Sequence, residues 1–228
     1  MSAEADRVAY LQALGIDIWR ERGSTDSLPG EEPLADARGV PLMNWEQLQH
    51  KVATCTDCGL HKTRTQTVFG VGDPDADWLI IGEAPGQQED RRGEPFVGRA
   101  GQLLDQMLRA VGQTRQSVFI ANVLKCRPPN NRDPAKDEAA ACRAHLERQI
   151  ELIRPRLILA VGRIAAQILL DSDEPLGRLR GRLHYLKDET LPLVVTYHPA
   201  YLLRSPSEKG KAWQDLCLAR QVATEQIA

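Results

Sequence analysis

No run of 18 or more apolar residues occurs in the chain, which excludes a membrane-spanning helix. Its N-terminus, MSAEADRVAYLQALG, has neither the basic start nor the small-residue cleavage site of a secretory signal, so a cytoplasmic protein is expected. There is no excess of one charge either. The 29 Lys and Arg stand against 31 Asp and Glu, so nothing global advertises a polyanionic partner. Coiled-coil heptads are missing, which points to a monomer. Neither GxGxxG nor GxxxxGK[ST] occurs, which removes the usual dinucleotide and P-loop signatures. Cysteines number 5, and in a reducing compartment they do not make a disulfide framework. What remains is a chain of 228 residues, 42% apolar, long enough to fill one substantial core.

The balanced charge conceals a split. Residues 1–50 carry 4 basic and 9 acidic side chains, net −5, leaving 25 basic and 22 acidic, net +3, for the rest. Val8, Leu11 and Leu14 at helical spacing, followed by Gly15 as a C-cap, predict a short amphipathic helix. Ile16, Ile18 and Trp19 then form an apolar hook, so 1–20 reads as a partner-binding peptide, with folding back onto its own domain as the other reading. Residues 21–43, rich in Gly, Pro, Ser and acidic groups, hold too few apolar residues to offset the entropy of ordering them and read as a disordered linker. Over 44–228 the pattern changes. DWLIIGEAPG, SVFIANVLKC, PRLILAVG and PLVVTYHPA are each apolar on both faces, as buried parallel strands are. Helical stretches are predicted at about 98–111, 135–153, 163–170 and 207–223. Their alternation implies an α/β fold with a parallel central sheet covered by helices on both faces. Ligands in such folds bind beyond the carboxyl ends of the strands, where GEAPG, Asn122 and HPA all fall.

Cys55 and Cys58 form a C-x2-C pair in a loop after a short helix, and Cys126 and Cys142 follow at a distance. Four thiolates from three segments suit structural zinc or an iron-sulfur cluster. Zinc ribbons usually use two close pairs, so the wide second spacing favours a cluster. The polar neighbours Thr56, Asp57 and Lys125 argue against ordinary core cysteines, whereas Cys217, beside Trp213 and Leu216, reads as packing. Glu83 follows a strand in a turn where Gly82, Pro85 and Gly86 let the backbone approach a ligand, and its carboxylate could orient a water or stabilise a cation. Phe96, between Pro and Gly residues ahead of a helix, either stacks on a base or anchors the loop to the core. The Asn122 amide suits the edge of a pyrimidine, or bridges backbone groups. His198 closes the last strand and converges on the same sheet edge, with Leu202, Leu203 and Arg204 after it as an apolar wedge with a cation.

In order along residues 45–223, the C-x2-C pair, GEAPGQQED, EPFVGRAGQLL, NVLKCRPPNNR, the Cys142 helix and HPAYLLR resemble the family 4, iron-sulfur uracil-DNA glycosylases. That resemblance implies a 4Fe-4S cluster on Cys55, Cys58, Cys126 and Cys142, structural in role. It implies hydrolysis of the bond between uracil and deoxyribose, on a base flipped from the helix or taken from single strands. Phe96 would stack on the uracil and Asn122 would read its O4 and N3–H. His198 would stabilise charge on the leaving base. Glu83 would favour the sugar cation or position the water, and Glu89 could share that role. Gly82 and Gly86 would line the pocket. Leu202 or Leu203 would fill the gap left by the base, and Arg99 and Arg204 would contact phosphates.

The segment RVAYLQALGIDIWRERG, through its LQxLGIxxW core, resembles the N-terminal peptide of the psi subunit of the DNA polymerase III clamp loader. Leu11, Leu14, Ile16 and Trp19 would then contact clamp-loader subunits and tether the catalytic domain to the replisome. The alternative is a psi-like adaptor that uses the fold as a scaffold.

Overall fold

The computed structural model describes residues 43–186 and 190–225. The peptide expected at 1–20 and the linker expected at 21–43 lie outside the described residues, except for Met43. In chain order the strands are β1 (Val71–Gly72), β2 (Trp78–Gly82), β3 (Phe119–Asn122), β4 (Leu157–Val161), β5 (Leu183–Leu186) and β6 (Leu191–Thr196). The α-helices are α1 (Trp45–Ala53), α2 (Gln87–Arg92), α3 (Arg99–Ala110), α4 (Lys136–Ile153), α5 (Arg163–Leu170), α6 (Leu176–Leu179), α7 (Pro199–Arg204) and α8 (Lys209–Glu225).

The four apolar runs form the centre of one sheet, ordered β1-β3-β2-β4-β6-β5, in which β3, β2, β4 and β6 are mutually parallel. Both edges depart from the expected all-parallel pattern, because β1 and β5 pair antiparallel to their neighbours. Consecutive side chains of a strand face opposite ways. Leu79 and Ile81 of β2, Ile158 and Ala160 of β4 and Leu193 and Val195 of β6 therefore enter one core. Trp78 and Ile80, Leu157 and Leu159, and Val194 enter the other. The first core is closed by Leu48 and Val52 of α1, Leu146 and Ile150 of α4 and Ala165 of α5. The second is closed by Leu104 and Leu108 of α3 and by Leu216 and Ala219 of α8. Each fully buried Leu or Ile contributes about 1.5–3 kcal/mol, so the two cores dominate over the short edge ladders in holding the sheet.

Local signals fix the helix ends. Asn44 caps α1 reciprocally with Gln47, each side chain accepting the other's backbone N–H at 2.9 Å. Glu138 accepts the Ala135 N–H ahead of α4 and a bidentate pair from Arg132 at 2.6 and 2.8 Å. Among the described residues no helix is long and apolar enough to cross a membrane.

Candidate active site

The last residues of the parallel strands lie level, since Gly82 pairs with Asn122 and Val161 with Thr196. The segments leaving β2 and β3 then run side by side, with the N–H groups of Val123 and Leu124 donating to the Gly82 and Glu83 carbonyls at 2.9 and 3.0 Å. Gly82 is required by what stands over it, because a Cβ there would collide with the Asn122 side-chain oxygen and the Phe96 ring. The His198 ring stacks on Phe96, centroids 5.6 Å apart and planes at 30°. Gly162, at φ 99° where β4 ends, admits the close approach of the His198 Cβ. Residues separated by more than a hundred positions thus meet at one sheet edge, as the sequence predicts.

Phe96 takes the core-anchoring role expected of it. It is 7% exposed, within the core shared by Ile80 and Leu104, and its ring faces Gly82 and His198. Its φ of 54° is left-handed, which an aromatic residue adopts only when its surroundings impose it. Arg115 supplies much of that constraint, donating to the Pro95 carbonyl at 2.6 Å and the Phe96 carbonyl at 3.1 Å while paired with Asp105 at 3.1 Å. Gly101 leaves room for the Phe96 carbonyl, which a Cβ would strike. Glu89 holds the next residues, its Oε1 accepting the N–H groups of Val97 and Gly98 at 3.0 and 3.3 Å, with Oε2 against Gly86. Sequence reasoning missed Arg115, since its partners are carbonyls that only the fold brings to it.

His198 sits two residues beyond β6 as the N-cap of α7, and its Nδ1 accepts the Ala200 N–H at 3.1 Å. The ring proton is therefore on Nε2. Burial first, and then the Arg204 charge, push the ring's pKa down to about 4 against the opposing pull of Glu89, so the imidazole is neutral. Glu83 behaves oppositely. Burial and then Asp133 push its carboxyl up to about 7, with Arg163 pulling it back. Arg163 is itself paired with Asp133 at 2.8 Å. Leu202 is a correction to the expected wedge: it is 1% exposed in the core beside α3 and α8, while Leu203 is 38% exposed and open to a ligand. Arg99 and Arg204 are exposed, at the start of α3 and the end of α7.

The cysteines meet in a recess of their own. Cys55, Cys58, Cys126 and Cys142, with Leu60, Leu124, Lys125, Ala141 and His145, wall a small recess with about 10 Å³ of free space. Cys126 and Cys142 are buried, and so is Lys125, against the expectation of polar loop surroundings. Burial raises the Cys126 thiol, and it pushes Cys142 up to about 11. Two N–H donors and one imidazole nitrogen face the sulfurs. Lys125 N–H points at Cys142 from 3.3 Å, Arg64 at Cys126 from 3.0 Å, and His145 Nε2 lies 3.4 Å from Cys55. The buried Nδ1 of His145 has no hydrogen-bond partner. Ligand atoms of Cys55, Asp57 and His145 also lie within 4.8 Å of one another. Converging soft sulfurs supported by N–H donors fit a thiolate-bound metal or iron-sulfur cluster. Cys217, on α8, is half-buried and outside this set.

Residues 69–217 match the family described as the Uracil DNA glycosylase superfamily. The chain is 42% identical over 167 residues to a type-4 uracil-DNA glycosylase of Archaeoglobus fulgidus, covering 71% of this chain and 84% of that one. It is also 42% identical over 182 residues to the type-4 uracil-DNA glycosylase of Pyrobaculum aerophilum, covering 77% and 93%. With that of Thermotoga maritima it shares 43% identity over 166 residues, 72% and 85% of the two chains.

Proposed function

The chain belongs to the uracil-DNA glycosylase superfamily, alongside its type-4 members, and we propose on that premise that it hydrolyses the N-glycosidic bond of uracil in DNA, so beginning base excision repair. The carrying observation is the convergence of Gly82, Phe96, Asn122 and His198 where the parallel strands end.

A uracil in a duplex is reached by flipping, at a cost of a few kcal/mol, or is taken from a single strand. Phe96 offers a ring face for stacking. The Asn122 amide donates to O4 and accepts from N3–H, and cytosine reverses both demands with its N4 amine and bare N3. As the bond breaks, negative charge gathers on the base. A neutral His198, its Nδ1 engaged by Ala200, presents Nε2–H to O2 at a fixed position and gains most in the transition state. Ionised Glu83 faces the sugar cation or aligns the attacking water. Glu89 acts through the 96–98 loop that it holds, and leaves the water to Glu83. Leu203 enters the space left by the base, and Arg99 and Arg204 meet phosphates.

Cys55, Cys58, Cys126 and Cys142 would hold a 4Fe-4S cluster, which when bound ties the loop after α1, the segment after β3 and α4 together. Residues 1–20 would tether the enzyme to clamp-loader subunits through Leu11, Leu14, Ile16 and Trp19, a reading supported by the LQxLGIxxW spacing. Co-purification with those subunits that is lost on Trp19→Ala supports the tether, and binding that survives deletion of 1–24 contradicts it.

Incubation of the anaerobically purified protein with an end-labelled oligonucleotide carrying one uracil, followed by alkali, tests the activity. Cleavage at the uracil that Glu83→Ala and His198→Ala lose is expected. An intact oligonucleotide would contradict the reading and favour the adaptor.

A further inference from the structure

Lys125 is 1% exposed and follows directly on the segment that carries Asn122, one residue before the ligand Cys126. An ammonium removed from water is strongly unfavourable unless hydrogen bonds and an opposite charge offset the loss. Its Nζ donates to the Asn122 carbonyl at 2.8 Å and to the Gln149 side-chain oxygen at 2.5 Å. Both acceptors are neutral. Gln149, fully buried on α4, is fixed in turn by donating to the Phe69 carbonyl at 2.9 Å. Among the described residues no carboxylate pairs with this ammonium. Lys125 does line the cysteine recess, and its backbone N–H points at Cys142.

We propose that Lys125 is a positioning residue that joins the two regions: its ammonium is the counter-charge of the thiolate-held cluster, and the same group fixes the Asn122 carbonyl at the base-reading end of β3. This rests on the reading of the site given above. Four thiolates around an iron-sulfide core leave net negative charge in the recess. That charge supplies the partner missing around Lys125. The Asn122 side chain stands over Gly82 while its carbonyl is fixed on Lys125, so the cluster and the uracil-reading amide share one strut.

The holoenzyme carrying Lys125→Met, which keeps the length of the side chain without its charge, tests the proposal. Removing a neighbouring cation makes a negatively charged cluster harder to reduce, so spectroelectrochemistry is expected to show a lower midpoint potential than the unsubstituted enzyme. Losing the donor to Asn122 is expected to raise KM for a uracil oligonucleotide about tenfold, and to weaken inhibition by free uracil by the same factor, with kcat less affected. Should Lys125→Met not fold, Lys125→Arg serves, since it retains the charge but not the Nζ geometry. It should keep the potential while KM rises. An unchanged potential or unchanged KM in Lys125→Met, or a shifted potential in Lys125→Arg, overturns the proposal. An unsubstituted protein lacking cluster absorbance or uracil excision overturns the underlying reading as well, and reveals it without any variant.

Discussion

The candidate site takes its residues from the ends of strands whose register a hydrogen-bond ladder sets, whereas the cysteine recess takes its own from a loop, a segment past β3 and a helix. Gly82 and Asn122 are neighbours in the sheet before any substrate arrives. Cys126 and Cys142 lie outside the two main cores, in a small cluster with Leu60 and Leu124 against which Cys58 packs. The site geometry is thus a product of the fold, while the recess, on the proposed reading, would gain cohesion from the cluster it holds. Losses at the first should appear in rate, and losses at the second in stability.

The largest effect expected is at the recess. Cys142→Ser should abolish the cluster and cost at least about 4 kcal/mol, lowering the melting temperature by on the order of 10 °C. A variant that melts like the unsubstituted protein would break the comparison. Next is His198→Ala, which removes the donor proposed for the leaving base. A fall of roughly 10²–10³ in single-turnover rate is expected, with little change in melting. A collapse in stability instead would show that the pocket is no more independent of its residues than the recess. Arg115→Ala should be milder, about tenfold in kcat/KM, because Phe96 loses the donors that hold its left-handed backbone, and Arg115→Lys should restore part of it. The smallest effect concerns Glu83. Its carboxyl binds a proton more tightly folded than unfolded, so its contribution to stability is complete below about pH 4.5 and is lost as pH rises through about 7. Glu83→Gln should therefore gain slightly in denaturant midpoint at pH 8 relative to the unsubstituted protein, and show no gain at pH 4.

Strands apolar on both faces announce themselves, and β2, β3, β4 and β6 were all legible. The edges were not. Val71–Gly72 is too short to carry a period, and Leu183–Leu186 is only half-buried, so neither holds the unbroken apolar signal of a central strand. QQEDRR at α2 has no apolar face at all, and its helix follows from position rather than pattern. The placement of Glu83, Asn122 and His198 at strand ends could be read because each follows or ends an apolar run. Arg115 and Lys125 could not, since their sequence neighbours give no hint of the carbonyls and sulfurs they meet. A lysine beside a cysteine looks like surface until the fold encloses it. The order of Leu202 and Leu203 was likewise undecidable without knowing which side of the short α7 faces the core.

Single-turnover excision of uracil measured from pH 5 to 9 bears most directly on the claim that a neutral His198 and an ionised Glu83 divide the chemistry at these strand ends. With Glu83 at about 7 and His198 at about 4, the rate should rise roughly tenfold per pH unit and level off near 7, with no fall beyond it. A rate that declines as pH climbs through about 6.5, the ordinary range of a histidine, would mean that an imidazolium drives the reaction, and would contradict the account.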